Sequence, residues 1–144
     1  MEKVKGLYAL IYISSQNMEI SASEVGYLLQ TARRGAVDRN LTGIMMFGSG
    51  NIMRMIEGQK EDVINKFNYL KSSHIHSDIL KLAEKAIPQR FFEDYPLAFL
   101  PINHPAYKEL NDFNQPEVME YLEECLNFDN PLIKVLKDFL KNNQ

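Results

Sequence analysis

Arg54 is the residue whose type and position raise the clearest chemical question. It is the one formal charge in the apolar run 52–56, where it shares a strand face with Ile52 and Ile56. Burial of an unpaired charge is costly. The run therefore predicts that Arg54 reaches solvent, pairs with a partner or borders a cleft.

Tyr12 is the second candidate, because it lies inside the apolar run 7–13. A tyrosine in a central strand is usually a packed ring whose hydroxyl is satisfied, and electron donation is the rarer role. Tyr8 shares its face, since side chains four apart in a strand point the same way.

The remaining chemistry-bearing residues predict neither an enzyme nor a metal site. His74 and His76 lie two apart, but no third ligand of suitable spacing and no cysteine accompanies them. Glu93 and Asp94 are adjacent and would point apart in a strand, so they form a poor acid/base pair. The sequence also lacks a phosphate-binding loop and a dinucleotide fingerprint.

Composition predicts one domain in a reducing, cytoplasmic setting. The chain has 144 residues, 19 acidic against 16 basic, and so carries no electrostatic footprint for nucleic acid. Its single cysteine, Cys125, allows no intramolecular disulfide. The N-terminal apolar run is too short and too soon interrupted to predict a signal peptide or a membrane span.

Five strands and two helices are predicted over the first hundred residues. Strand 7–13 is followed by a helix with a capping box at Ser21 and Glu24 and an apolar stripe of Val25, Leu28, Leu29 and Ala32. The later segments are hairpin 41–58, helix 59–70, a strand or helix at 79–87, and an edge or irregular strand at 95–102. This order packs economically as a mixed α+β sheet with two helices on one face, which is ferredoxin-like βαββαββ. A right-handed crossover makes the first two strands parallel.

The pattern changes at His104, so we expect a domain over residues 1–103 and a helical extension over 104–144. Pro116 and Pro131 begin two short amphipathic helices. Such helices cannot bury their apolar stripes alone. We expect them to pack on the open sheet face or on a partner, and that surface is the candidate for self-association or for another protein.

Three motifs and their order resemble one known family. They are Leu-Ile-Tyr-Ile-Ser-Ser at 10–15, Leu-Thr-Gly at 41–43 and Ile-Glu-Gly at 56–58, and the stretches 76–87 and 90–95 fit the end of the same domain. Over about residues 5–102 the chain resembles the BLUF family of flavin-binding blue-light sensor domains. The last forty or so residues resemble the two helices of short, stand-alone members.

The resemblance implies a fold and a mechanism. The isoalloxazine ring of FAD would lie between the two helices, against the sheet. Light would move an electron and a proton from a tyrosine, matched by Tyr12, to the flavin, and a neighbouring glutamine would reorient. A strand near the end of the domain would then shift and act on a partner protein.

The residues at the matched positions depart from the family pattern. Arg54 occupies the place of the switching glutamine, and Ala36 that of the asparagine that reads the ring's polar edge. Ile75, beside His76, occupies the place of an arginine in the phosphate-side loop. The resemblance assigns these positions, together with Tyr12, to the flavin site.

Three further residues complete the candidate set, and two of them are matched by the resemblance. Tyr95 and Leu97 match the tryptophan and methionine of the signalling strand. Arg33, near the end of the first helix, can approach a phosphate tail if it does not simply cover a solvated helix face.

Two functions follow from these positions, and a third is disfavoured. The first is a sensory or regulatory domain that acts through protein contacts, with flavin binding weakened and the ordinary photocycle lost. The second is an FAD-binding blue-light or redox photoreceptor in which Arg54 responds to the redox state. A small enzyme or metal-dependent protein would need a titrating constellation around His74 and His76, which the sequence does not provide.

Overall fold

The computed structural model describes residues 6–16, 22–48, 51–72, 76–101, 116–125 and 130–142. Most of these residues lie in helices or strands. The elements in chain order are β1 (Leu7–Gln16), α1 (Ala22–Asp38), β2 (Thr42–Gly48), β3 (Asn51–Gln59), α2 (Lys60–Lys71), β4 (His76–Ala86), β5 (Ala98–Pro101), α3 (Pro116–Cys125) and α4 (Pro131–Asn142).

The strands form a mixed sheet in the order β4-β1-β3-β2-β5. β1 is antiparallel to both β3 and β4, β3 is antiparallel to β2, and β2 is parallel to β5. β1 and β2 therefore run parallel, with β3 inserted between them, as the crossover rule predicts. The predicted ferredoxin-like α+β fold is confirmed.

The two faces of the sheet carry different helices. One face packs α1 and α2 through two clusters, which include Leu29, Phe47 and Phe99 in one and Leu10, Ile56 and Phe67 in the other. The opposite face packs against α3 and α4; the apolar residues of α4 in this cluster are Leu132, Ile133, Leu136, Phe139 and Leu140. The sheet is thus a buried middle layer.

The sequence leaves two alternatives for the end of α1, Gly35 or the loop 38–40, and in the structure the helix ends at Asp38. Asn40 adopts a left-handed φ of 56°. The backbone N–H of Leu41 donates to the carbonyl of Ala36 at 2.8 Å, and that of Asn40 donates to Val37 at 3.2 Å. This is a Schellman end, which satisfies carbonyls of the last turn. The predicted capping box at the other end lies outside the described side chains.

The last strand differs from the prediction of 95–102. β5 covers only Ala98–Pro101. Tyr95 and Leu97 therefore precede the strand, and Pro96 between them has no N–H to donate to a ladder. At 79–87 the strand alternative is confirmed, and β4 begins earlier, at His76.

Truncation of Leu136 to alanine is expected to lower the free energy of unfolding by about 2–5 kcal/mol, because it removes fully buried methyl groups and leaves a cavity. Urea titration measures the change. Lys137→Ala, at the next and exposed position of α4, is the matched control and should cost less than about 0.5 kcal/mol. Equal effects of the two substitutions would contradict the packing of α4 on the sheet.

Candidate functional site

Arg54 lies at the centre of the face that α1 and α2 cover. In the register of the sheet it stands opposite Tyr12 of β1 on one side and Met45 of β2 on the other. Its side chain is 2% exposed. Among the described residues, its Nε has no hydrogen-bond partner. The charge anticipated from the sequence is therefore a buried one.

Tyr12 is packed beside this guanidinium. It is fully buried, and its ring centroid lies 5.9 Å from that of Phe67 in α2. Burial raises the pKa of the Tyr12 hydroxyl, and the positive charge of Arg54 offsets part of the rise. The phenol therefore stays protonated across the neutral range, which fits a packed ring.

Ala36 brings α1 into the same cluster as Tyr12. Its methyl group is fully buried and offers neither a donor nor an acceptor. The structure thus places Tyr12, Ala36 and Arg54 together under the helix pair, with one cationic group among apolar neighbours.

Lys66 of α2 is a member of this site that sequence reasoning missed. It is half-buried, and its pKa is lowered to about 8 by burial and then by the charges of Arg54 and Arg39. A Cβ added at Gly35 of α1 would lie 3.7 Å from Lys66 Nζ, so the ammonium bridges the two helices. One signal was available, since Lys66 follows the buried Val63 by three positions and flanks the apolar stripe.

Arg33 is half-buried, and its Nε donates to the backbone carbonyl of Leu97 at 2.9 Å. Burial lowers the pKa of its guanidinium. The hydrogen bond ties α1 to the segment before β5.

Three sequence-predicted positions lie wholly or partly outside this description. Ile75 and His74 are outside the described residues, and of His76 only the backbone is described, paired with Gln16. Within the described ranges, no group of three or more His, Cys, Asp or Glu side chains is placed to hold a metal ion.

On the opposite face of β3, Glu57 is the centre of a buried hydrogen-bond network with Thr42 and the segment 90–92, which we call the pin. Its Oε1 accepts hydrogen bonds from Thr42 Oγ1 at 2.9 Å and from the backbone N–H of Phe92 at 3.0 Å. Its Oε2 accepts from the N–H of Phe91 at 2.6 Å. Burial raises the pKa of Glu57, and these three hydrogen bonds and the charge of Arg90 oppose the rise.

Arg90 completes the pin. It donates to Thr42 Oγ1 at 3.0 Å and to the carbonyl of Asn40 at 2.8 Å. The Leu-Thr-Gly, Ile-Glu-Gly and Arg-Phe-Phe motifs therefore meet in one hydrogen-bond network, which none of their separate patterns predicted.

Gly43 of the same motif is required by the close approach of β2 to β3. It has a φ of 152°, and a Cβ added there would lie 1.8 Å from the carbonyl oxygen of Met55. No side chain can occupy that position without movement of the backbone.

Tyr121 of α3 joins the pinned segment to the C-terminal helices. Its hydroxyl donates to the carbonyl of Phe91, and its ring centroid lies 5.8 Å from those of both Phe92 and Tyr95. Leu97 instead belongs to the cluster beneath α1. Tyr95 and Leu97 thus pack against opposite faces of the sheet.

A mixed βαββαββ sheet with two helices packed on one face defines the ferredoxin-like α+β class. A family model described as "Sensors of blue-light using FAD" matches residues 7–98, and the chain belongs to this BLUF family. The resemblance found in the sequence is thereby confirmed.

Curated relatives match over part of their length. Photoactivated adenylate cyclase subunit beta of Euglena longa and that of Euglena gracilis are each 23% identical over 86 residues, which is 60% of this chain. The matched region spans about a tenth (10%) of each relative.

Solved structures support the fold. The BLUF protein BlrB in its dark state has a TM-score of 0.67 at 20% identity, covering 85% of this chain and 96% of that one. BlsA in its ground state gives 0.66 at 19%, covering 86% and 90%. Klebsiella pneumoniae BlrP1 with FMN and cyclic diGMP gives 0.72 at 20%, covering 94% and 34%.

None of the helices in the described ranges is long and apolar enough to cross a membrane.

Replacement of Glu57 by glutamine is expected to lower the free energy of unfolding by about 1–3 kcal/mol at neutral pH, because an amide NH₂ would face a backbone N–H in place of an acceptor. Glu93→Gln, an exposed acidic position in the adjoining segment, is the control. Urea titration of both variants makes the comparison, and equal stabilities would argue against the pin.

The pH dependence of stability in the wild type and in Glu57→Gln tests the pKa of Glu57. Because burial raises this pKa above 4.5, the folded chain keeps the proton to a higher pH than the unfolded chain does. The resulting stabilisation is complete below about pH 4.5 and is lost as the pH rises through the raised pKa. The stability of the wild type relative to Glu57→Gln should fall across that window, and a rise would contradict the shift.

Proposed function

We propose that this chain is a BLUF-family regulatory domain that signals through protein contacts, with weakened flavin binding and without the ordinary blue-light photocycle. The observation that carries the proposal is the buried guanidinium of Arg54, in cross-strand register with Tyr12 at the place where the family relies on a glutamine.

The chemistry of arginine supports the loss of the photocycle. A glutamine amide has both an acceptor and two donors and can exchange them by rotation, whereas a guanidinium only donates and stays protonated. Arg54 therefore cannot accept a proton or a hydrogen bond from the Tyr12 hydroxyl. A relay that needs a group to alternate between donor and acceptor has no such group at this position.

The surroundings of Arg54 support weakened flavin binding. When bound, a flavin would supply light absorption and a redox centre, and its imide edge carries an N–H that needs an acceptor. Ala36 has no polar side-chain atom, and Arg54 has no acceptor. The described residues at these two positions do not fit that edge. Each unsatisfied buried polar group costs about 1–3 kcal/mol, and about 1.4 kcal/mol is tenfold in affinity.

The packing of the C-terminal helices α3 and α4 supports signalling through contacts with another protein. The segment 90–97 touches Glu57 on one side and Tyr121 of α3 on the other. A change near β3 is therefore contiguous with α3. Because α3 and α4 cover the sheet face themselves, the outer surface of these helices is the candidate interface for a partner or for a second copy.

A second function is favoured by the same cations. Arg54 and Lys66 would stabilise an anionic, reduced ring better than a neutral one. An FAD-binding photoreceptor or redox sensor with a rewired site is therefore the alternative.

Flavin absorbance of the purified chain separates the two functions. We expect a colourless protein that remains colourless after incubation with FAD and gel filtration, and no reversible red shift under blue light. The double variant Arg54→Gln/Ala36→Asn restores an acceptor at both positions, and we expect it to bind FAD at least about tenfold more tightly. A yellow wild type that photocycles would contradict the proposal, and a yellow one without the shift would favour the alternative.

Light scattering of the full chain tests the interface. We expect a mass above the 16.7 kDa of one chain, reduced toward that value by Lys134→Glu/Lys137→Glu on the exposed side of α4. Arg34→Glu reverses an exposed charge on α1, which packs on the other side of the sheet, and is the control. A monomeric wild type that also retains no protein partner on a column bearing the chain would contradict the contact mechanism.

A further inference from the structure

Positive charge is concentrated between α1 and α2. Arg54 lies at the inner end, within β3, while Lys66 lies on α2 and Arg39 follows α1. The charges of Arg54 and Arg39 both lower the pKa of Lys66, so each is close enough to repel the Lys66 ammonium. Such repulsion is reduced when an anion is bound among the cations.

The guanidinium of Arg54 lies beside the Tyr12 hydroxyl, on which its charge acts, but its pairing is incomplete. It is 2% exposed, and its Nε makes no hydrogen bond within the described part of the chain. Leaving a buried charged donor unpaired costs more than leaving a neutral one. The residue lies beneath the helix pair, opposite Tyr12 of β1 in the register of the sheet.

The acidic residues nearby do not neutralise this cluster. Asp62 precedes Lys66 by one helical turn on α2, and Asp38 precedes Arg39. Neither is among the causes that set the Lys66 pKa, which are burial, Arg54 and Arg39. Glu57, the buried carboxylate of the same strand, is engaged on the opposite face by Thr42 and two backbone N–H groups.

We propose that the space between α1 and α2 binds the oxyanion of a small organic molecule, with Arg54 as the inner ligand and Lys66 as the ligand at the mouth. This inference rests on the proposed function, because it gives the weakened flavin site a different class of ligand and makes that ligand the signal.

The chemistry of the lining fits a carboxylate or phosphate group on a small apolar body. A guanidinium matches the two oxygens of either anion in a bidentate geometry. Leu10, Ile56, Val63 and Phe67 provide apolar surface in the same layer. The ring of Tyr69, whose centroid lies 5.4 Å from Lys66 Nζ, borders the ammonium on the outside.

Calorimetric titration with benzoate, benzamide and inorganic phosphate tests the proposal on the full chain. Benzamide has the shape of benzoate without its charge, so we expect benzoate to bind and benzamide to bind at least tenfold more weakly. Benzoate binding identifies a carboxylate as the ligand class, and binding of phosphate alone identifies a phosphate ester. Failure of both anions to bind, or equal binding of benzamide, would overturn the proposal.

Variants locate the site. Arg54→Gln and Lys66→Gln are each expected to weaken anion binding by about 10- to 100-fold, as expected for loss of one charge-assisted hydrogen bond. Lys85→Gln removes the same charge from an exposed position of the edge strand β4 and should leave the affinity unchanged. Anion binding that survives both site variants would place it elsewhere and overturn the assignment.

The pH profile provides a readout that a merely structural role would not change. The anion favours the protonated form of Lys66, and the groups that face this ammonium are Arg54 of β3, Arg39 after α1, and Tyr69 and Asp62 of α2. Affinity should fall as the pH rises through about 8, and more steeply in the wild type than in Lys66→Gln. Identical profiles would remove Lys66 from the site.

FAD titration of the same preparation separates this inference from the proposed function. Tight FAD binding with a photocycle contradicts the proposed function whatever the anions do. Absence of both FAD and anion binding overturns the inference alone, because a protein-contact domain with a closed interior still accords with the proposed function.

Discussion

The buried guanidinium of Arg54 is the constraint to which the rest of the structure must adapt. It occupies the middle of β3, which is itself flanked by β1 and β2, so it lies far from either sheet edge. A charge in such a place needs compensation. The same strand carries Glu57 three residues later, and that carboxylate is fully engaged by three hydrogen bonds. The Glu57 carboxylate is thus paired within the fold, whereas Arg54 Nε has no hydrogen-bond partner among the described residues.

The segment between β4 and β5 connects these two environments. Its early part binds Glu57 and contacts α3 through Tyr121. Its last residue, Leu97, accepts a hydrogen bond from Arg33 of α1 and packs in the cluster that contains Met45. Met45 is in turn the cross-strand neighbour of Arg54. Helix α1 and helix α3 therefore both contact the short segment between β4 and β5. A structural change on one face of the sheet can reach the other face through this segment.

The fold could be predicted from the sequence because its signals are periodic and local, as in the apolar run 7–13 and the hairpin around Gly48. The site could be predicted only in part. Arg54, Tyr12 and Ala36 were found because they lie at fixed offsets from motifs. Lys66 was not, since a half-buried lysine beside an apolar stripe resembles a solvated one until the facing helix is in place. The last strand begins only at Ala98, later than the predicted 95, because Pro96 has no N–H to donate to the ladder.

The motifs that identify the family are largely the residues that hold the sheet together. Gly43 permits β2 to approach the Met55 carbonyl, and Glu57 closes the network that contains Thr42 and Arg90. The close approach at Gly43 is a contact between strand backbones, and the Glu57 network lies on the other side of the sheet from the face beneath α1 and α2, so neither needs a flavin. Arg54 and Ala36 lie on that face and can change without loss of the pins. A family match built on such residues therefore establishes the architecture, and it leaves the chemistry of the interhelical space to be decided by the charges placed there.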